Sequence, residues 1–221
     1  MDIDSSKYQR QIIQSIRDKN GIKDGIIQDY DAFGLDAAVR TLSILDYNFN
    51  NNPNFHQVFD VYNSFLLDES SYIGPGHVES NFGDTYYVDS IIHILKIEPS
   101  SDISLYVRDK RDAILESDTI TISYFLDLLQ RNNLLDIIDD KRRALSNELL
   151  SSLENVLASN SSSSEKLPFI NAILKSLEII GQDWSISEKQ AGEIINSFVE
   201  TDDIQLNAIN LVELLKFTKE V

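Results

Sequence analysis

The sequence predicts an all-α protein built of stacked antiparallel helical hairpins. Apolar residues recur at helical spacing along almost the whole chain of 221 residues, and period-2 runs are short. Two Ser-x-x-Glu capping-box patterns, Ser162 to Glu165 and Ser185 to Glu188, stand just ahead of apolar helical runs. The chain also matches itself at an offset of about 49 residues, a period typical of stacked helical units. Gly25 meets Gly74, Phe33-Gly34 meets Phe82-Gly83, Val39 meets Val88, Thr41 meets Ser90, Leu42 meets Ile91 and Leu45 meets Ile94.

About ten helices follow from the periodicity. The first runs from Ser6 to Asn20 and stops at Gly21, a residue suited to a C-cap. The second spans Ala32 to Tyr47 and yields to the polar stretch Asn50-Asn51-Asn52-Pro53-Asn54. A third spans Phe55 to Leu67. Gly74, Pro75, Gly76 and Gly83 make Ser70 to Gly83 a loop, and a helix from Asp84 to Ile97 is ended by Pro99. Six more are expected: Ile103–Leu115, Ile120–Asn132, Leu135–Ser159, Glu165–Gly181, Ser187–Glu200 and Ile204–Lys219. The Ser161–Ser164 run makes residues 159–165 a flexible loop within one array rather than a domain boundary. The expected organisation is thus one helical-repeat domain over 1–221, with the clearest repeats in 5–97 and degenerate hairpins in 98–221.

Composition excludes several functions. With 36 acidic and 19 basic side chains the formal charge is −17. Phosphate backbones and anionic membranes need clustered Lys and Arg, so nucleic acid is not an expected partner. The densest basic run, Lys141-Arg142-Arg143, directly follows Asp136, Asp139 and Asp140. The absence of cysteine removes disulfides, thiolate catalysis and Cys-ligated zinc. No apolar run approaches the roughly 20 residues needed to cross a bilayer. No basic-then-apolar leader is visible at Met1–Lys7, so a soluble, cytoplasmic protein is the expectation. Nucleotide-loop, zincin, EF-hand and serine-elbow motifs are missing. Asn160-Ser161-Ser162 is a glycosylation sequon that carries no weight without a leader.

The candidate site residues lie in the repeats. His77, Glu79 and Asp84 sit in or beside the second glycine loop, where they are suited to cation binding or acid–base work, or else to capping and solvated charge. Asp36 with Arg40, and Asp89 with His93, are spaced to pair one helical turn apart. Tyr86 and Tyr87, with Tyr72, Phe82 and Phe33, suit either an aromatic cavity or a core. On the helix from Asp84 to Leu95, Asp89, Ser90 and His93 form a narrow polar edge. Asp136-x-x-Asp139-Asp140 has three carboxylates on adjacent turns, suited to Mg²⁺ with a diphosphate or to a solvated acidic helix start. His56 and Trp184 read as a residue near a helix start and a packing plug.

The stretch Gly76-His77-Val78-Glu79-Ser80-Asn81-Phe82-Gly83-Asp84-Thr85-Tyr86-Tyr87-Val88 resembles the repeat of the α/α-toroid proteins. These include protein prenyltransferase β-subunits, squalene and diterpene cyclases and complement-type thioester domains. Asp31-Ala32-Phe33-Gly34-Leu35-Asp36-Ala37-Ala38-Val39 is similar but weaker, and the resemblance covers residues 5–97. It implies a partial α/α-toroid or an open helical-repeat arc. It also departs from the enzymes: there is no Cys for a zinc site or a thioester, and no Asp-x-Asp-Asp.

Three readings of function follow. The first is a non-catalytic helical-repeat module for a protein or peptide partner, basic in view of the charge, with no cofactor. The second is an enzyme or enzyme subunit acting on an isoprenoid-like apolar substrate in an aromatic-lined cavity, with Mg²⁺ as its only implied cofactor. The third is a structural or regulatory subunit of a larger complex, using an apolar patch on Ile204, Ile209, Leu211, Leu214 and Leu215.

Overall fold

The computed structural model of the chain describes residues 5–19, 22–23, 26–27, 32–51, 70–73, 80–99, 102–182 and 192. These residues hold seven α-helices, two short 3-10 helices and one pair of two-residue strands, so the protein is all-α. The chain divides into two compact units, residues 1–106 and 107–221. The expected helices Phe55–Leu67, Ser187–Glu200 and Ile204–Lys219, the second capping box and Trp184 lie outside the described residues.

In the first unit α1 covers Ser5–Lys19. Strands β1 (Ile22–Lys23) and β2 (Ile26–Ile27) pair antiparallel, Ile22 with Ile27 and Lys23 with Ile26. The intervening sequence is Asp24-Gly25, a dipeptide that favours two-residue hairpins, and the helical reading had not anticipated it. Helix α2 covers Ala32–Ile44 and packs on both α1 and α3, which covers Phe82–Leu95. Gln9 of α1 donates from Nε2 to the Leu45 carbonyl at 2.6 Å, taking up an acceptor at the end of α2. Both α2 and α3 stop where a non-glycine residue takes the left-handed conformation, Asp46 (φ 56°) and Lys96 (φ 57°). The two helices bury Leu35, Val39 and Leu42 against Val88, Ile91 and Ile92. Each such side chain contributes about 1.5–3 kcal/mol by leaving water. Tyr72, from the described part of the 70–83 loop, is also buried, its backbone held by the Thr85 hydroxyl.

Helix α4 covers Ser104–Leu115, and the division between units falls in its first turn. In the second unit α5 covers Thr119–Arg131. Asp118 caps it, accepting from the amides of Ile120 (2.9 Å) and Thr121 (3.1 Å) and from the Thr121 hydroxyl (2.7 Å). The hydroxyl bond above all, helped by the amides, holds the Asp118 carboxyl below its ordinary value.

The continuous helix expected over Leu135–Ser159 is broken. Leu135–Ile138 form a 3-10 helix, residues 139–141 turn, and α6 covers Arg142–Ala158. The cause lies outside the segment. Arg111 of α4 donates Nη1 to the Ile137 carbonyl at 2.9 Å, and the consecutive Ile137 and Ile138 are both buried.

Helix α7 covers Ser163–Ile179 and opens on the full capping box of Ser162 and Glu165. Of the loop expected at 159–165, residues 159–162 form the connection and the rest belongs to the first turn of α7. α6 and α7 make an antiparallel hairpin. Ser146, one turn into α6, meets Gln182 beyond the end of α7 at 3.0 Å. At the other end Lys166 donates to the carbonyls of Leu157 and Ser159, where a cation also opposes the α6 dipole. α7 packs on α5 as well as α6, so Ile170, Ile173, Leu174 and Leu177 are closed from both sides.

Candidate functional site

Three clusters bring polar side chains together among the described residues. In the first unit, Asp36 and Arg40 are one turn apart on α2. The guanidinium Nε donates to both carboxylate oxygens, at 2.9 and 2.7 Å. Arg40 Nη2 also donates to the Tyr86 hydroxyl at 2.8 Å, and its guanidinium lies 5.4 Å from the centre of the Tyr86 ring. Ser90 donates its hydroxyl to Asp36. The Asp36 and Ser90 residues are 4% and 1% exposed, so the carboxylate end of this chain of bonds is shut away between α2 and α3 while Arg40 keeps part of its surface in solvent. Of the polar edge expected on α3, Asp89 and Ser90 are buried and His93 is half-buried: α2 supplies a partner for Ser90, and His93 sits one turn from Asp89. His93 Nδ1 lies 3.0 Å from the Asp89 carbonyl and 3.5 Å from its carboxylate.

The other sequence candidates take different places. Asp84 accepts from Asn81 Nδ2 at 2.7 Å while its amide donates to Asn81 Oδ1 at 2.8 Å, so it closes the start of α3. Tyr87 meets the rings of Tyr86 and Phe33 edge-on, with centroids 5.3 Å apart in both cases, and Phe82 lies against Tyr86. The aromatics thus pack on one another. His77, Glu79 and His56 lie outside the described residues. Asp127–Arg131 on α5 repeats the arrangement of Asp36–Arg40, a buried carboxylate with an arginine one turn on. The spacing is plain in the sequence and was passed over.

The second cluster is the acidic turn after α5. Asp136, Asp139 and Asp140 do not converge. Asp140 takes Arg111 (3.1 Å), Asp139 takes Arg142 (2.6 Å) and Asp136 faces Arg108 (3.7 Å). Among the described residues no group of three or more His, Asp or Glu side chains is placed to hold a metal ion. Asp112 and then Asp140 raise the Arg111 guanidinium above its ordinary value.

The third is a groove of about 260 Å³ between α4 and α6. One wall is Asp112, Leu115 and Glu116, positions i, i+3 and i+4 at the end of α4; the other is Lys141, Ala144, Leu145 and Glu148, positions i, i+3, i+4 and i+7 at the start of α6. Each set follows one helical stripe, with Glu116 just past the end of α4 and Lys141 just before α6, and no close helix packing joins α4 to α6 among the described residues. Leu145 is buried and Leu115 half-buried, while Glu116, Glu148 and Lys141 are exposed. The seven residues carry three carboxylates and one ammonium group. The site is an open anionic groove with an apolar floor, fit to hold a cationic, partly apolar group. Sequence reasoning missed it, because the two stripes are legible singly but their apposition is not.

No family model, no curated protein and no solved structure matches the chain. The class that the fold defines is an all-α protein. No described helix is long and apolar enough to cross a membrane.

Proposed function

We propose that the chain is a non-catalytic helical binding module for a basic protein or peptide. The observation that carries this reading is the open groove between α4 and α6, carboxylate-rimmed and apolar-floored, in a chain of formal charge −17. The polar constellation of the first unit supports it from the other side. Asp36, Arg40, Tyr86 and Ser90 bond to one another across α2 and α3, as residues that hold a scaffold together do. The repeat-array reading is kept within the proposal. Its support is that α2 and α3 carry the matching Phe33-Gly34 and Phe82-Gly83 pairs in their first turns and pack on each other.

The test is a fluorescence-anisotropy titration of the full chain with a labelled amphipathic peptide bearing several arginines, beside the same peptide with citrulline at those positions. Citrulline keeps the shape and removes the charge. Binding of the arginine peptide at least tenfold tighter supports the reading. Equal affinity for both, or no binding of either at low salt, rejects it.

A further inference from the structure

We infer that the groove between α4 and α6 is a pocket for one arginine or lysine side chain from an exposed segment of a protein partner. This rests on the binding-module reading above and narrows it to one place and one chemistry. Size is the first argument. At about 260 Å³ the groove falls below the roughly 300–1,000 Å³ of pockets that take drug-sized ligands. It has the volume of about eight or nine liquid waters at roughly 30 Å³ each, which suits one long side chain with a little residual water.

Polarity is the second. Lysine and arginine lay an apolar stem along apolar surface and keep the charged head in a polar setting. The groove offers both along its length: Leu115, Ala144 and Leu145 for the stem, and carboxylates for the head. Of those carboxylates Asp112 is already held by Arg111 at 2.9 Å, so Glu116 and Glu148 are the ones assigned to the incoming charge. Lys141 does not cancel them. It stands just before α6, seven residues ahead of Glu148, about 10 Å away at helical rise, which is beyond the roughly 8 Å Debye length of physiological salt. The groove is therefore polarised, cationic near Lys141 and anionic near Glu148. A side chain enters with its head toward Glu148 and the partner's backbone carbonyls toward Lys141.

The experiment uses the full chain and the arginine peptide of the preceding titration. The double variant Glu116→Gln/Glu148→Gln removes two charges from the groove; Glu154→Gln/Glu178→Gln removes two exposed charges from the same unit, outside the groove. Circular dichroism and thermal melts confirm that both remain folded. We expect the groove variant to lose at least tenfold in affinity and the control variant less than about threefold. A third variant, Ala144→Trp, fills the exposed floor without changing charge and is expected to lose at least tenfold. Equal losses in the two charge variants, together with undiminished binding by Ala144→Trp, would overturn the inference while leaving the binding-module reading in place. Failure of the wild-type chain to prefer the arginine peptide would overturn both.

Discussion

Replacing Arg40 with methionine tests how the first unit is held together. Asp36 is buried, and its side chain is 6% exposed against 19% for Arg40. In the wild type its two oxygens accept from Arg40 Nε, and Ser90 adds a hydroxyl. The substitution removes the cation and leaves the carboxylate in place with the serine alone of these two partners. Breaking a buried ion pair by deleting one member costs about 3–5 kcal/mol. Arg40 is partly solvated, so the lower end, about 3 kcal/mol, is expected. With a urea m-value of about 2 kcal/mol/M, the midpoint falls by about 1.5 M. The assay is urea unfolding followed by circular dichroism and tyrosine fluorescence, in parallel with Asp36→Leu and the double variant. Because the double variant strands no charge, it should recover to within about 1 kcal/mol of wild type. Lys110→Met, which breaks the exposed Lys110–Asp109 pair, should give no measurable change. A midpoint shift for Arg40→Met below about 0.3 M, or strictly additive single and double variants, would refute the claim that this pair is coupled and buried.

Other consequences concern the helix ends. Gly34 and Gly83 occupy matching repeat positions but differ in surroundings. A Cβ at Gly34 meets nothing within 4 Å, whereas one at Gly83 comes within 3.3 Å of Asn81 Oδ1, the atom that caps α3. Gly34→Ala should therefore raise stability by about 0.5–1 kcal/mol, and Gly83→Ala should gain less or lose, as compared by thermal melts. Asp118→Ala should cost about 1 kcal/mol near neutral pH by uncapping α5. The Asp118 carboxyl is depressed in the folded state below its ordinary 3.8, so its contribution is present above that value and fades as pH falls through the lower folded one. Melts of wild type and variant should accordingly converge at acid pH, and a constant gap would contradict the assignment. Ser162→Ala should cost about 1 kcal/mol through the α7 capping box, read as a drop in melting temperature.

The legible parts of this fold are those with local causes. Ser162 and Glu165 announce α7 because both halves of the capping box are three residues apart. Asp36 and Arg40 are legible as a pair because one helical turn joins them, but their bonds to Ser90 and Tyr86 cross 54 and 46 residues. That distance also explains why the polar edge of α3 was legible but the partner of Ser90 on α2 was not. The break before α6 has the same origin, since Arg111 reaches in from another helix to take the Ile137 carbonyl. The hairpin signal Asp24-Gly25 is local, and it lies between the first two expected helices, where Gly25 reads only as part of the repeat. At the groove, each wall shows its stripe in the sequence. Only the fold decides that the end of α4 and the start of α6 face one another.

The central claim is that charge draws a basic partner to the chain, and ionic strength tests it most directly. The Debye length shrinks from about 30 Å at 0.01 M salt to about 3 Å at 1 M. Affinity of the full chain for the arginine peptide, measured across that range, is predicted to fall steadily by at least tenfold. An affinity that stays flat from low to high salt would contradict the account.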